Sequence, residues 1–187
     1  MKAALLLAAL TVALAAGCGS QGLGPDAYEL ANIRGSNIVP KSSPTAFVKA
    51  FDKFCAKGPR DPQSADRLLR ASSYVPLPRK ARNDGRIYVV DDKRPAVGVS
   101  SQGCMVQTYS RTGQTARVRR YVAANFPSAA PVSANLLARH KLEQAWVISG
   151  DQHGIVATRR TLDGGNHSSY TLLLYRTNGP VQWNSPQ

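Results

Sequence analysis

Apolar and polar positions alternate with different periods along this chain, and each change of period marks an element. Ala3–Ala16 is an uncharged run rich in Ala, Leu and Val. It is too short to span a bilayer as a helix, which takes about 20 apolar residues. Gly19–Ser43 has weak periodicity and is rich in Gly, Ser, Asn and Pro, so it predicts a flexible tether, with Ala27–Ile33 as a short piece able to pack on the folded domain. From Ser43 the spacing becomes helical. Ser43 suits an N-cap and Pro44 the first helical position. Phe47, Val48, Phe51, Phe54 and Cys55 then share one apolar face, and Gly58 suits the C-terminal cap. Asp61-Pro62 repeats the start signal, and Ala65, Leu68 and Leu69 define a second, short helix. Tyr74–Asn83, with Pro76 and Pro78, reads as a loop.

The period then falls to two. Arg86–Val90, Ala96–Ser100 and Cys104–Tyr109 predict three short strands joined by turn-like segments. Gly113–Phe126 returns to helical spacing, with Val118, Tyr121, Val122 and Phe126 on one face and Arg117 and Arg120 opposite. Pro127–Leu136 is a Pro/Ser/Ala connection with room for one helical turn at its end. Gln144–Ser149, Ile155–Leu162 and Ser169–Arg176 predict a three-strand meander with tight turns, followed by a loose tail, Asn178–Gln187, that carries Trp183. The sum is an α+β fold: an antiparallel sheet of about six short strands with two N-terminal helices and one central helix. The boundaries are then 1–17 for a leader, 18–43 for the tether, 44–177 for one domain and 178–187 for the tail.

The leader adds a compartment. Lys2 precedes the apolar run and the small residues Ala15-Ala16-Gly17 precede Cys18, the arrangement of a secretory signal that is removed. The run Leu14-Ala15-Ala16-Gly17-Cys18 resembles the lipobox of bacterial lipoproteins. That resemblance implies cleavage before Cys18 and acylation of Cys18, which becomes the first residue. With Gly19 and Ser20 rather than Asp after the cysteine, it also implies delivery to the outer membrane, facing the periplasm. Anchoring in the inner membrane and plain secretion are the alternatives. Two or more acyl chains hold a protein on a membrane stably.

Cysteine usage fits that compartment. With Cys18 acylated, Cys55 and Cys104 remain, and in an oxidising periplasm they are expected to pair. Such a bond is worth about 4 kcal/mol in the chain-entropy model. The composition is otherwise that of an ordinary globular domain, with 16 Arg and 8 Lys against 9 Asp and 2 Glu. The net charge is +13, or +12 once the leader and its Lys2 are gone. A balance this basic points to an anionic partner, although arginine-rich coding produces it without selection for binding. The candidates for anion contact are Arg79, Lys80 and Arg82, then Arg117, Arg119 and Arg120, then Arg159 and Arg160, with Arg86 and the Arg139-His140-Lys141 run nearby. Tyr88, Tyr109, Tyr121 and Trp146 lie among them and are of the type that stacks on ligands.

Catalytic chemistry finds little support in the chain. Ser101-Gln102-Gly103-Cys104-Met105-Val106 resembles the nucleophile segment of L,D-transpeptidases, Ser-His-Gly-Cys-aliphatic-Arg. The family's His is Gln102 here and its Arg is Val106, and no His precedes Cys104. A nucleophilic cysteine needs a base or a lowered pKa. His153 and His167 flank opposite ends of a predicted strand and cannot share a metal, and Asp91-Asp92 and Glu143 read as turn and ion-pair residues. No metal site, cofactor or catalytic residue is assigned. The expected role is a non-enzymatic, membrane-anchored envelope protein that contacts an anionic envelope polymer or lipid, or belongs to an envelope protein complex. Nucleic acid is the least favoured partner. An envelope hydrolase or transpeptidase acting on peptidoglycan is the first alternative, and an inhibitor or immunity-type protein against an acidic target the second.

Overall fold

The computed structural model describes residues 35–78, 84–109, 114–150, 153–163, 167–179 and 181, with the side chains of residues 36, 163 and 167 left aside. The leader, Cys18, the Ala27–Ile33 piece, the basic run Arg79, Lys80 and Arg82, and Trp183 lie outside these residues.

Helix α1 (Pro44–Phe51) begins as its sequence requires: Ser43 accepts the Ala46 N–H at 3.2 Å, and Pro44 occupies the first turn. It runs on into a wider π-type turn, Asp52–Ala56, closed by the Lys57 N–H bonding back to the Asp52 carbonyl at 2.9 Å. Phe47, Phe51, Phe54 and Cys55 are all buried along this stretch. Gly58 follows where a side chain has no room, since a Cβ there would lie 2.0 Å from the Phe54 carbonyl oxygen. Helix α2 (Pro62–Ala71) is capped by Asp61, which accepts from both Gln63 and Ser64 N–H groups. Helix α3 (Gln114–Asn125) buries Val118 and Val122, and a short helix α4 (Ala134–Arg139) buries no residue.

The described residues contain eight strands in one antiparallel sheet: β1 (Val75–Pro76), β2 (Arg86–Val89), β3 (Ala96–Val99), β4 (Gly103–Tyr109), β5 (Ala130–Pro131), β6 (Gln144–Ile148), β7 (His153–Asp163) and β8 (His167–Thr177). Their spatial order is β1-β2-β3-β4-β8-β7-β6-β5. The two long central strands pair along their full length, from His153 opposite Thr177 to Asp163 opposite His167. The fold class is thus the α+β antiparallel arrangement that the periodicity predicts, with strands β1 and β5 and helix α4 added. Both additions to the sheet sit at its edges. Each is two residues long and contains a proline, Pro76 or Pro131, which withholds an N–H from any further strand.

The register sorts the side chains onto two faces. One face carries Tyr88, Val97, Val106, Leu172, Leu174 and Val156, and α1, α2 and α3 cover it. The main hydrophobic cluster lies on this side, with Phe47, Phe51 and Leu69 its largest fully buried helical side chains, while Val89, Ala96, Ala145 and Ala157 are buried on the opposite face. Burying side chains of this size contributes roughly 1.5–3 kcal/mol each. Cys55, in the π-type turn, faces Cys104 on β4 with Cα atoms 5.2 Å apart and the two sulfurs joined. This tie holds the end of the helical run to the middle of the sheet. The Arg176 guanidinium, from β8, donates to the Cys55 carbonyl at the same place and caps the end of that run.

The expected tether stops short of Ser43. Residues 35–43 are docked on the domain: the Pro40 carbonyl accepts the Tyr109 N–H at 2.8 Å, Lys41 N–H reaches the Asp92 carbonyl at 3.0 Å, and the Gln114 amide bonds to the Ser42 carbonyl at 3.2 Å. Pro40 itself is buried. Backbone groups make these contacts, so no apolar periodicity announces them.

Candidate anion-binding surface

Three helices lie side by side over the covered face of the sheet, and their outer surfaces form one layer. Its basic residues come from every helix. Lys49, Lys53 and Lys57 project from α1 and its π-type extension, Arg67 and Arg70 from α2, and Arg119 and Arg120 from α3, all exposed. Arg117 differs from its expected placement opposite the apolar side: it is half-buried, and its Nε is sealed from solvent with no hydrogen-bond acceptor in reach. It lies on the flank of α3 that also carries Tyr121, one helical turn away.

The acidic residues of the layer are arranged differently. Asp52 accepts from Lys57 Nζ at 2.8 Å and from the Tyr121 hydroxyl at 2.7 Å. Burial alone would raise its pKa, but these two bonds outweigh burial and hold it below the usual 3.8. Asp61 is consumed by the α2 cap, and its bonds to Ser64 likewise lower its pKa. Asp66 accepts the Tyr88 hydroxyl at 2.7 Å and Arg70 Nε at 2.8 Å, with Arg86 at 3.6 Å, and is lowered by the first two of these most of all. Every carboxylate of the layer is thus engaged by a hydroxyl, a cap or a neighbouring cation. Among the described residues none pairs with Arg117, Arg119 or Arg120. The surface is left with a surplus of outward, uncompensated positive charge, which attracts anions over roughly a Debye length of 8–10 Å.

Two of the four aromatic residues expected to stack on a ligand, Tyr88 and Tyr121, are used inside instead, while Tyr109 and Trp146 are half-buried in the sheet. Tyr88 is buried and its hydroxyl serves Asp66, while Tyr121 packs edge-on against Phe51 and serves Asp52. Burial and the carboxylate bond raise the pKa of both phenols. Tyr74, raised to about 12 chiefly by burial, sits against Phe54. These rings are therefore committed to the core and offer no stacking platform beside the arginines.

Arg159 and Arg160 do not form one cluster. Successive residues of β7 point to opposite faces. Arg159 is exposed on the uncovered face and donates to the His140 carbonyl at 3.1 Å. Arg160 lies on the covered side, 4.8 Å over the Tyr170 ring and 3.9 Å from Glu143. Glu143 also accepts the Thr115 hydroxyl at 2.9 Å, so this group closes the end of the core rather than offering a ligand site.

The cysteine considered as a nucleophile is buried and tied to Cys55, which leaves no thiolate at the position. His153 and His167 stand at opposite ends of the β7–β8 hairpin, about 33 Å apart along the strand. Among the described residues, no group of three or more His, Cys, Asp or Glu side chains is placed to hold a metal ion, and no helix is long and apolar enough to cross a membrane. No protein-family model matches the chain, and neither the curated proteins nor the solved structures contain a significant match to it.

Proposed function

We propose that this is a lipid-anchored envelope protein that binds an anionic envelope component through its helical layer, without catalytic turnover. One observation carries the reading: among the described residues of that layer every carboxylate is engaged, while the basic side chains of three helices face outward and those of α3 are without an acidic partner. Coding bias toward arginine supplies positive charge, but it does not pair every acid of the layer and leave the cations of α3 unpaired. The lipobox-type run ending at Cys18 supports anchoring at the outer membrane, on the periplasmic side. There the available anions are the phosphates of lipopolysaccharide and of acidic phospholipids. Each neutralised phosphate releases counterions, so binding of this kind weakens steeply with salt.

The test is binding of the full chain to lipopolysaccharide and to vesicles containing phosphatidylglycerol, titrated from low to high salt. Replacing Arg119, Arg120 and Lys49 by alanine is expected to reduce binding at low salt at least tenfold and to flatten its salt dependence. Arg117 is kept, because it is half-buried. Binding that ignores salt, or that the triple substitution leaves intact, overturns the reading in favour of a protein partner. Acylation of Cys18 is tested separately: Cys18→Ala is expected to leave the chain unprocessed or to release it from membranes, and an intact mature mass without acyl groups would refute it.

A further inference from the structure

At one end of the sheet, on the face away from the helices, the side chains become small. The last row there is Gly85, Ser100, Gly103 and Tyr175, across β2, β3, β4 and β8. Gly103 pairs with Tyr175, and the Arg86–Val99 and Val99–Cys104 pairs place Gly85, Ser100 and Gly103 side by side one step outward. Strand residues two apart share a face, so the row just inside it is Ile87, Gly98, Met105 and Leu173. Met105 fills the space over Gly98, where a Cβ would lie 2.7 Å from its terminal methyl carbon, so the inner row stands as a shoulder. The last row stays low. Gly103 has no room for a side chain, since a Cβ there would lie 2.4 Å from the Leu174 carbonyl oxygen. The step between the rows is a trough of about 490 Å³, lined also by Asp84 and Gln102 at its outer margin and by Tyr175 at its β8 end. It crosses three strand spacings, about 14 Å.

The groups in the trough are mixed. Tyr175 and Ile87 give apolar surface, 39% and 38% exposed. The Gln102 side chain and the Tyr175 hydroxyl have no hydrogen-bond partner among the described residues, and each is both a donor and an acceptor. Asp84 is held in place by Ser101, whose N–H donates to Oδ2 at 3.1 Å and whose hydroxyl donates to the same oxygen. Arg86 lies at the margin with its guanidinium turned to Asp66, 3.6 Å away.

This set selects a ligand class. A cation is repelled by a chain of net charge +13. An anion meets the Asp84 carboxylate at contact. An apolar molecule would strip water from the Gln102 amide and from Asp84 and return no hydrogen bonds. A sugar ring meets every requirement: its hydroxyls donate and accept at once, and its C–H face lies flat on an aromatic ring. A cavity of this size with a few placed polar groups is also typical of small-ligand sites. We infer that this trough binds a neutral saccharide, stacked on Tyr175 and hydrogen-bonded to Gln102 and Asp84. The site lies on the opposite side of the sheet from the basic helical layer and does not rest on anion binding there.

The experiment is saturation-transfer NMR of chitotriose and, separately, of maltotriose with the purified full chain in mild detergent. Saturable transfer to either is expected, and the tighter of the two tells an N-acetylated glycan from a plain hexose chain. High salt is expected to leave the dissociation constant unchanged, which separates this site from phosphate binding at the helices. Tyr175→Ala and, separately, Gln102→Ala change exposed side chains, and thermal melting checks their fold. Each is expected to raise the dissociation constant at least fivefold, while Tyr175→Phe, which keeps the ring, costs less than Tyr175→Ala. Arg119→Ala, on the other side of the sheet, is expected to change nothing. No saturable transfer to either sugar overturns the inference, and so does binding that Tyr175→Ala and Gln102→Ala both preserve or that salt abolishes.

Discussion

Leu172 and Leu173 are neighbours in β8 and differ only in which way they point. Leu172 is fully buried between the sheet and the helices, among Phe47, Tyr170 and the valines of β3 and β4. Leu173 stands half-buried on the opposite face, beside Met105 and Ala157. The same chemistry therefore contributes stability on one side of the sheet and a half-buried side chain on the other. The charged residues divide in the same sense. Helices bring lysines and arginines to the outside of the covered face, while the row of Ile87, Gly98, Met105 and Leu173 on the open face carries no charge.

The largest test of this division is the tie between its layers. Removing the Cys55–Cys104 link, which closes a loop of 49 residues, is expected to cost about 4 kcal/mol. Urea unfolding of Cys55→Ala/Cys104→Ala against the parent checks this, and thiol labelling of unreduced protein checks that the pair is bonded. Next, Leu172→Ala is expected to cost about 2–5 kcal/mol, because it opens a cavity in a packed core. Leu173→Ala is expected to cost no more than about 1 kcal/mol. A loss at Leu173 as large as that at Leu172 would mean that the open face is covered within one chain.

Acid should loosen the helical side first. Asp52, Asp61, Asp66 and Asp91 all have folded pKa values below 3.8. Their contribution is therefore complete well above that value and is lost as pH falls below about 4, through the folded values, because the unfolded chain then takes up protons first. Unfolding measured from pH 6 to pH 2.5 should show this decline, and Asp52→Asn with Asp66→Asn should shallow it. The smallest effect is expected from Arg119→Ala with Arg120→Ala. These leave stability within about 0.5 kcal/mol of the parent, since exposed charges contribute little to folding. A larger loss would show that these arginines serve the fold and not a ligand.

Much of this architecture is legible in the chain because local periodicity and end signals act within a few residues. Ser43-Pro44 and Asp61-Pro62 start their helices as written, the six longer strands fall where the period drops to two, and the β3–β4 connection sits at its turn residues. The two-residue edge strands are too short for any period and contain proline, so Val75-Pro76 and Ala130-Pro131 read as loop. The docked segment 35–43 is invisible for another reason: its own backbone groups bond to Asp92, Thr108, Tyr109 and Gln114, which lie about 50 to 72 residues away.

The candidate surface is less legible than the fold. Sequence clusters of arginine group residues that are adjacent in the chain, but adjacency in a strand means opposite faces, which separates Arg159 from Arg160. Adjacency in a helix spreads residues around its axis, which turns Arg117 inward while Arg119 and Arg120 stay out. Lys49, Lys53 and Lys57 belong to no basic run, and only the packing of α1 beside α3 places them in the same layer. The amino-acid sequence by itself determined the helix starts, the strand alternation, the excess of positive charge and the pair of cysteines in the domain, because each depends on residue type and near neighbours. The tertiary structure alone decided which side of the sheet the helices cover, which carboxylates are engaged by Tyr88 and Tyr121, and where residues 35–43 dock. Those outcomes depend on strand register and helix docking between residues far apart in sequence, and no local pattern encodes them.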